Sequence, residues 1–510
     1  MICEVIVDIA HSEVDKIFDY VCDVPVQAGA RVAVPFGRSA ATGFVIRVKE
    51  TSDYPADKLK KVYRVEEGTP ALNAECLSLA AAVAKRYRVP LALSLRLFIP
   101  PEMRTGKVAE TYRTFARFAE DVLIKNAPQQ AACLAFLRQN GETDAAVLRA
   151  KFGGAVNALV KKGGIVLEKR RVLRDPYKDV EGKAAEHALT QMQRRAVEAV
   201  QGTDKTVTLL HGVTGSGKTE VYLTLIADAL QKGKTALFLV PEISLTPQML
   251  AQLRARFGSA VAILHSGLSA GERFDEWQRL REGSARIAVG ARSAVFAPVE
   301  NVGILVIDEE HDGSYSSETA PRYNTFDIAF LRARYNGCKL VLGSATPSVE
   351  TYKRALDGEF ALVRMPDRIN ARPLPDVNIV DMRREVKRGN PSPFSAALRE
   401  RLAATLSEGQ QAILFLNRRG YSQTVLCRDC GYVAKCEQCD VSLTYHSEEN
   451  CLKCHYCGAW TTIPPAEKRG TIAFSDNSPS GRRTSSSARR WSQRDMTFRS
   501  SRSWGSSMRI

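Results

Sequence analysis

A glycine-rich stretch near the middle of the chain has the residue types and the spacing that bind nucleotide phosphates. The sequence HGVTGSGKTE places Gly212, Gly215 and Gly217 before Lys218 and Thr219. In the pattern G-x-x-x-x-G-K-T, glycines let backbone N–H groups turn toward phosphate oxygens, the lysine neutralises the β- and γ-phosphates, and the threonine hydroxyl binds Mg²⁺. A chance glycine-rich turn is the alternative, but an apolar strand precedes the stretch and a helical pattern follows it. These five residues are therefore predicted to bind ATP and Mg²⁺.

A second stretch supplies the acidic groups that nucleotide hydrolysis requires. GILVIDEEHD is an apolar strand that ends in Asp308 and is followed by Glu309. We predict that Asp308 holds Mg²⁺ beside Lys218 and that Glu309 orients or deprotonates the attacking water. Alone, such a stretch could be a solvated acidic strand end. Its position downstream of the glycine-rich loop instead indicates a nucleotide hydrolase, with Lys218, Asp308 and Glu309 as its catalytic residues.

Two shorter motifs narrow the class of hydrolase. ALTQMQ offers Gln193, whose side-chain amide suits the adenine edge, and LGSATPS ends another apolar strand with Ser344 and Thr346, whose hydroxyls could sense the nucleotide state. Each of these residues could equally be a helix cap or a loop residue. Their order along the chain carries more weight. A glutamine motif, a phosphate loop, DEEH and SAT in this order resemble a superfamily 2 helicase motor.

The cysteine spacing near the end of the chain indicates a metal site. Seven of the 12 cysteines lie between Cys427 and Cys457. Structural zinc takes four ligands, commonly from two C-x-x-C pairs. One dense cluster in a large chain is typical of metal binding in a reducing compartment rather than of a disulfide scaffold. Three such pairs are predicted to bind zinc: Cys427 with Cys430, Cys436 with Cys439, and Cys454 with Cys457.

The composition favours a nucleic-acid partner. The 510 residues carry a net charge of +16, although the last 45 residues, with ten Arg or Lys against three Asp or Glu, contribute seven of these charges. A strongly basic chain favours polyanions. No run approaches the roughly 20 apolar residues that cross a bilayer, and the acidic start does not match a secretory signal. We therefore expect a cytoplasmic protein of several domains without a membrane partner.

Strand-like and helical patterns indicate the elements that position these residues. EVIVDIA, RVAVPFG and GFVIRV are short strands that precede a helical segment, AECLSLAAAVAKRYRV. From about residue 186, the buried strands TVTLLH, TALFLV, RIAVG, GILVID and KLVLGS alternate with helices. Such alternation is typical of a parallel sheet covered on both faces. QAILFLN, at 411–417, opens a second such region.

The segment between these regions has a different pattern. From about residue 111 it turns helical, with PQQAACLAFLRQ and then TDAAVLRAKFG, which begins at Thr143 as its N-cap. The basic, strand-like IVLEKRRVLR follows. Three helices and a basic hairpin resemble a winged helix, a fold that commonly binds DNA. A small helical packing module is the alternative.

Longer stretches resemble the replication restart helicases of the PriA, or primosomal protein N′, family. They are LLHGVTGSGKTEVY, LVPEISLTPQ, VGARSAVFAP, VIDEEHD, GSATPS and FLNRRGY followed by C-x-x-C-G. The resemblance runs from residue 1 to about 465. It implies an ATP-dependent 3′→5′ DNA helicase that reloads the replication machinery at stalled forks. The partners it implies are forked and single-stranded DNA, primosome proteins, single-stranded DNA-binding protein and a helicase loader.

The same resemblance implies DNA-binding residues. Phe18, Asp19 and Gly37 match the pocket that grips the 3′ end of a nascent leading strand, and Lys60 matches its basic member. Without the resemblance, these residues would be interpreted as a turn and a solvated charge.

The loop after DEEH, DGSYSSETAPRY, corresponds to the family's aromatic-rich loop, which couples DNA to ATP hydrolysis. Tyr315 and Tyr323 are its predicted stacking residues. Stacking of a single-stranded base on an aromatic ring contributes about 1 to 3 kcal/mol.

The resemblance also assigns the cysteines. In this family, eight cysteines bind two zinc ions, and the last two C-x-x-C pairs of this chain would form one complete site. The other site would use Cys427 and Cys430, but AEKRGTIAF stands where its second pair is expected. Cys451 is interpreted as a spare thiol. We therefore expect about one zinc ion per chain.

After residue 465 the sequence departs from the family pattern. The rest of the second motor lobe, with its arginine finger, has no counterpart in residues 466–510, which are rich in Ser and Arg. We expect this segment to be disordered and interpret it as out-of-frame translation, with a genuine basic tail as the alternative. Such a chain is expected to bind Mg·ATP without unwinding DNA. A fork-DNA-binding scaffold without motor activity is the alternative to a working helicase.

Together these patterns predict a multidomain α/β protein built around a P-loop, RecA-like superfamily 2 helicase lobe. The predicted domains are a β-rich 3′-DNA-end-binding domain at 1–104, a winged helix at 105–180, the ATP-binding helicase lobe at 185–370, the start of a second lobe at 371–426, an incomplete zinc ribbon inserted at 427–465, and a disordered tail at 466–510.

Overall fold

The computed structural model divides the chain into two compact units, Met1–Pro373 and Leu374–Ile510. The residues that it describes are 1–66, 71–104, 108, 110–124, 126–174, 177, 188–369, 375–390, 392, 394–415, 433–446, 451–454 and 457–462. Within these ranges, no helix combines the length and the apolar character that crossing a bilayer requires. The predictions for Cys427, Cys430 and the segment 466–510 lie outside the described residues.

The first unit begins with a six-stranded sheet that curls on itself. Its order is β5-β2-β1-β4-β3-β6. The residues between β5 and β6 bond to both β2 and β3, with Val62 N donating to Val21 O (2.9 Å) and Tyr63 N to Ala33 O (2.8 Å). The three predicted strands are confirmed, and β2, β5 and β6 are additional ones. The strands are β1 (Ile2–Val7), β2 (Ile17–Val21), β3 (Arg31–Phe36), β4 (Ser39–Lys49), β5 (Lys60–Lys61) and β6 (Arg64–Val65). Three helices follow: α1 (Ala74–Tyr87), α2 (Leu91–Leu95) and α3 (Pro101–Arg104).

Two cations from β4 hold Glu4 of β1. Its carboxylate accepts hydrogen bonds from Arg47 (2.8 Å) and Lys49 (3.0 Å). These bonds, that from Arg47 above all, lower the pKa of Glu4 from 4.5 to about 2. A lowered carboxyl pKa stabilises the fold above the unfolded-state value, and this contribution is lost as the pH falls through the folded-state value.

Glu4→Gln is therefore expected to lower the free energy of unfolding by about 1 to 2 kcal/mol at pH 7, since solvent around the exposed Arg47 screens part of the interaction. The loss should shrink as the pH falls from 4.5 toward 2. Urea unfolding of the chain at pH 7, 4 and 3 measures it, with the exposed Glu13→Gln as control. A loss that does not change with pH would contradict this role of Glu4.

The next segment packs three helices against a three-stranded antiparallel sheet of order β8-β7-β9, the layout of a winged helix. The helical pattern expected from about residue 111 begins only at Pro128, because residues 112–118 form a strand that pairs with β9 along its whole length. The N-cap of the second helix is Asp144 and not Thr143, since the Asp144 carboxylate accepts from Ala146 N at 2.8 Å. The elements are β7 (Tyr112–Phe118), α4 (Pro128–Asn140), β8 (Thr143–Asp144), α5 (Ala145–Phe152), α6 (Ala155–Lys161) and β9 (Ile165–Arg171).

A seven-stranded parallel sheet with helices on both faces follows, as the alternating pattern predicts. Its order is β12-β13-β11-β14-β15-β10-β16. The sequence did not reveal the two edge strands, β12 and β16. The strands are β10 (Val207–Gly212), β11 (Thr235–Leu239), β12 (Val261–Leu264), β13 (Ile287–Gly290), β14 (Val302–Ile307), β15 (Lys339–Ser344) and β16 (Ala361–Met365). The helices are α7 (Gln191–Gly202), α8 (Lys218–Gln231), α9 (Pro247–Phe257), α10 (Ala270–Arg281), α11 (Thr325–Asn336) and α12 (Val349–Leu356).

The N-terminal domain and the domain built on this seven-stranded sheet share one hydrophobic core. Helix α1, capped by Asn73, packs its apolar side against α11. Between the two helices, Glu75 accepts hydrogen bonds from Arg332 (2.8 Å) and Asn336 (2.9 Å). The Arg332 side chain has no exposed surface and also donates to three backbone carbonyls. The two domains are therefore joined by a buried, hydrogen-bonded ion pair.

In the second unit, the described residues form two helices and three short strands, β17 (Thr444–His446), β18 (Cys451–Lys453) and β19 (Trp460–Thr462). The helices are α13 (Met382–Lys387) and α14 (Ala396–Ser407). The strand predicted at 411–417 is not formed in its described part, residues 411–415, where Ile413 is 96% exposed and Phe415 86%. An apolar run becomes a buried strand only where neighbouring strands pair with it, and these residues have no strand partner within the described part of the chain.

Candidate nucleotide and zinc sites

The phosphate-binding loop connects β10 to α8, as predicted. Gly215 and Gly217 have φ of +84° and +81°, a left-handed conformation that glycine adopts without strain. Lys218 is the first residue of α8, and its Nζ donates to the Gly212 carbonyl at 2.9 Å. The loop thus places backbone N–H groups and a lysine at a helix N-terminus, an arrangement that binds anions.

Gln193 lies against this loop. It is 3% exposed, its Oε1 accepts from Thr190 N (2.8 Å), and its Nε2 donates to Gly217 O (3.2 Å). A Cβ on residue 217 would come within 2.3 Å of that Nε2, so glycine is required for the close approach. Gln193 therefore caps α7 and supports the loop in this structure. Its contact with adenine stays a prediction.

Asp308 and Glu309 follow directly after β14. Burial, with the nearby Glu309 charge, raises the pKa of Asp308 to about 6. Glu309 has φ of +46°, a left-handed conformation that costs a residue with a Cβ about 1 to 2 kcal/mol. Strained residues of this kind cluster at functional sites. The two carboxylates therefore stand where an acidic pair could serve hydrolysis.

The DEEH and SAT motifs are in direct contact. The ring of His311 reaches Ser344 Oγ through Nδ1 (2.9 Å) and Thr346 Oγ1 through Nε2 (3.5 Å). Glu310 accepts from Ser348 N (2.7 Å) at the start of α12. No local pattern indicates these contacts of His311 and Glu310, although both residues lie inside the DEEH motif.

In the loop after DEEH, the positions of Tyr315 and Tyr323 differ from those expected of stacking residues. Tyr315 and Tyr323 are 4% and 5% exposed, so neither ring can stack on a DNA base in this conformation. Tyr315 donates to the Asp308 carbonyl at 2.7 Å, and Tyr323 packs edge-on against Phe296, with ring centroids 4.9 Å apart. These tyrosines anchor the loop to the lobe.

The structure brings together only some of the predicted DNA-end residues. Phe18 packs edge-on against Phe36, with centroids 5.5 Å apart, next to the turn at Gly37. Asp19, the next residue of β2, bonds to Lys49 (2.8 Å) and Ser52. Lys60 is exposed on β5, which pairs with β2 beside Tyr20. Because side chains alternate along a strand, Phe18 and Asp19 face opposite sides of the sheet.

The cysteine-rich module presents four thiols to one point. The Sγ atoms of Cys436, Cys439, Cys454 and Cys457 all lie within 4.8 Å of one another. Cys436 Sγ and Cys457 Sγ are 3.6 Å apart, and tetrahedral zinc with Zn–S bonds of about 2.3 Å separates its sulfur ligands by about 3.8 Å. The four residues therefore fit a structural zinc ion.

The backbone supports this conclusion. In the first pair, Asp440 N donates to Cys436 O, and in the second Gly458 N donates to Cys454 O, both at 2.9 Å. Asp440 and Gly458 also both have positive φ, +53° and +77°. The two C-x-x-C turns thus repeat one geometry and supply equivalent pairs of ligands. Bound zinc would crosslink the two turns and stabilise the module's small core.

We predict that Cys454→Ser abolishes zinc binding at the four-thiol group and unfolds the module. Three thiolates and a hydroxyl bind zinc poorly. Zinc released from the purified chain by a thiol reagent, counted with a colorimetric chelator, measures this. Cys451→Ser is the matched control: Cys451 lies on β18 outside the four-thiol group and should keep its zinc. Loss of zinc in both variants would contradict the assignment.

The phosphate loop also fits Mg²⁺ with a nucleotide. The Ser216 hydroxyl is buried and has no hydrogen-bond partner among the described residues, as expected of a group that faces a phosphate. Thr219 and Asp308 offer the hydroxyl and carboxylate oxygens that Mg²⁺ prefers. They would hold the ion, which would neutralise charge on the phosphates. That Lys218 binds the phosphates and Glu309 orients water stays a prediction.

The fold of the parallel-sheet domain and this site are those of a helicase domain. Residues 190–355 match the family model described as DEAD/DEAH box helicase. Residues 4–100 match that of the 3′DNA-binding domain (3′BD), and residues 436–460 that of the PriA DNA helicase Cys-rich region (CRR) domain.

The chain belongs to the replication restart protein PriA family. The Bacillus subtilis member is 40% identical to it, over 90% of this chain and 68% of that protein. The Haemophilus influenzae member is 34% identical, over 88% of this chain and 63% of that protein. The Synechocystis member is 46% identical, over 59% of this chain and 38% of that protein. The chain thus spans about two thirds of the length of the first and second of these relatives.

Proposed function

We propose that the protein is an ATP-dependent DNA helicase that moves 3′→5′ and acts at stalled forks in replication restart. The observation that carries this proposal is the contact between the acidic motif and the SAT motif. His311 joins the turn after Asp308 to Ser344 and Thr346. Through it, a change at the nucleotide could reach the start of α12. A nucleotide-binding protein without a motor would not need this connection.

The proposed partner is forked DNA with a 3′ end at its junction. The N-terminal domain, which matches the 3′DNA-binding domain model, exposes Lys60 and Lys61 on one edge strand. Primosome proteins, single-stranded DNA-binding protein and a helicase loader are further proposed partners, and the zinc module is a surface they could use. A cytoplasmic location near the nucleoid is part of the same proposal.

A specific observation favours a second candidate function for the 510-residue chain: a fork-binding scaffold without motor activity. The strands described in the second unit belong to the cysteine-rich module, and residues 411–415 remain exposed. Two-lobe motors place ATP between two RecA-like sheets, and an arginine finger contributes a factor of about 10³ to 10⁵ to hydrolysis. The described residues form one such sheet, and a protein with a single one is expected to bind Mg·ATP and DNA without translocating.

Two measurements on the same preparation distinguish the helicase from the scaffold. One is phosphate release from ATP with and without forked DNA, and the other is the affinity for the fork. Stimulation by the fork of about tenfold or more, absent in Lys218→Ala, would support the helicase. Tight fork binding without turnover would support the scaffold. Weak binding to the fork together with no turnover would contradict both.

A further inference from the structure

Tyr222 lies one turn into α8, four residues after Lys218, and is completely buried. Its hydroxyl donates to Asp308 Oδ1 at 3.0 Å, and its ring packs against Phe238 of β11, with centroids 5.8 Å apart. The helix that begins at the phosphate loop is thereby bonded to the carboxylate that follows β14. Residues 222 and 308 are far apart in sequence, so no local pattern revealed this contact.

The neighbouring strand is shaped around the same hydroxyl. A Cβ on Gly343 of β15 would lie 1.6 Å from the Tyr222 hydroxyl oxygen and 3.2 Å from Asp308 Oδ1. Glycine at this position therefore leaves the space that the tyrosine needs. The Gly343 carbonyl in turn accepts from Glu310 N at 3.0 Å. The phosphate-loop helix α8, the DEEH turn and the SAT strand β15 are thus all in contact around the hydrogen bond between Tyr222 and Asp308.

A hydrogen bond to one carboxylate oxygen fixes the rotation of the group. With Oδ1 held by Tyr222, the Asp308 carboxylate is kept in one orientation in which a cation can bind it. A carboxylate free to rotate would have to be ordered each time the metal binds, and that ordering lowers affinity.

We propose that Tyr222 is a positioning residue that orients Asp308 to bind the Mg²⁺ of Mg·ATP. The inference rests on the proposed function of this lobe as an ATP-binding motor. It assigns Tyr222 no contact with the nucleotide itself. Tyr222 thus sets how much Mg²⁺ strengthens ATP binding, while the phosphate loop sets the affinity for ATP without metal.

Tyr222→Phe tests this, because it keeps the ring and removes only the hydroxyl. The Kd of a fluorescent ATP analogue is measured in saturating Mg²⁺ and in EDTA. The gain in affinity that Mg²⁺ gives should fall about tenfold in the variant, while the Kd in EDTA should stay within about twofold. Tyr20→Phe is the matched control, since Tyr20 is also buried and its hydroxyl bonds the Pro35 carbonyl (3.1 Å) in the N-terminal domain.

A merely structural role would weaken binding equally in Mg²⁺ and in EDTA, and that result would overturn the inference. In an Asp308→Asn background, Tyr222→Phe should cause no further loss, because the group that it orients is already changed. A further tenfold loss there would also overturn it. If the wild-type chain binds no nucleotide, the proposed function fails and takes the inference with it. If the wild type binds Mg·ATP and Tyr222→Phe binds equally well, only the inference fails.

Discussion

Arg332→Met is expected to lower the free energy of unfolding of the first unit by about 3 to 5 kcal/mol. The variant leaves the Glu75 carboxylate buried between α1 and α11 without its cation, and an unpaired buried charge costs this much. Three backbone carbonyls, those of Val295, Ala297 and Val299, also lose their donor. Urea unfolding followed by fluorescence measures the loss.

Arg334→Met is the matched control, because Arg334 lies two residues further along the same helix and is exposed. It should change the free energy of unfolding by less than about 0.5 kcal/mol. Adding Glu75→Gln to Arg332→Met should recover part of the loss, since no unpaired charge then remains. An Arg332→Met chain as stable as wild type would show that the two domains do not depend on this ion pair.

The buried junction between α1 and α11 fixes the position of the N-terminal domain relative to the helicase lobe. The N-terminal domain and the helicase lobe share one core, so a DNA end bound by the first would lie at a fixed distance from the nucleotide-site motifs of the second. Weakening this junction should therefore affect DNA recognition and the nucleotide response together.

Lys218→Ala is expected to weaken Mg·ATP binding by about 2 to 4 kcal/mol, which is roughly 30- to 1000-fold in Kd. Lys218 is buried at the start of α8, where its ammonium group is placed to neutralise nucleotide phosphates. Titration with a fluorescent ATP analogue measures the change. The variant should still fold, because the hydrogen bond that it loses, to the Gly212 carbonyl, is one among many in the lobe.

Lys232→Ala serves as control, because Lys232 directly follows the same helix and its side chain is 62% exposed. The Kd of the Lys232→Ala variant for the ATP analogue should stay within about twofold of the wild-type value. Unchanged nucleotide affinity in Lys218→Ala would mean that ATP does not bind at the phosphate loop.

Local patterns predicted much of this structure. Strands β10, β14 and β15 are apolar on both faces because helices cover the parallel sheet, and such strands stand out as short apolar runs. The phosphate loop and the C-x-x-C turns are also local, since their spacing alone sets their geometry. The helicase class and the zinc site could therefore be predicted from the sequence.

Other features depend on contacts that a sequence pattern does not contain. Glu75 and Arg332 are 257 residues apart, and nothing near either one indicates the ion pair. Tyr315 and Tyr323 were expected to face DNA, but residue type does not distinguish a ring that stacks on a base from one that packs in a core. Residues 411–415 have the composition of a strand and remain exposed, because a strand also needs neighbours.

The replication-restart assignment is tested most directly by equilibrium binding to two forks that differ only in the leading strand. One fork carries a 3′-hydroxyl end at the junction, and the other has a gap there. We expect the chain to bind the first at least about tenfold more tightly, equivalent to about 1.4 kcal/mol or one well-placed hydrogen bond. Asp19→Asn should lose this preference, and Glu13→Gln, at an exposed residue in the same domain, should keep it. Equal affinity of the wild-type chain for the two forks would contradict recognition of a nascent 3′ end.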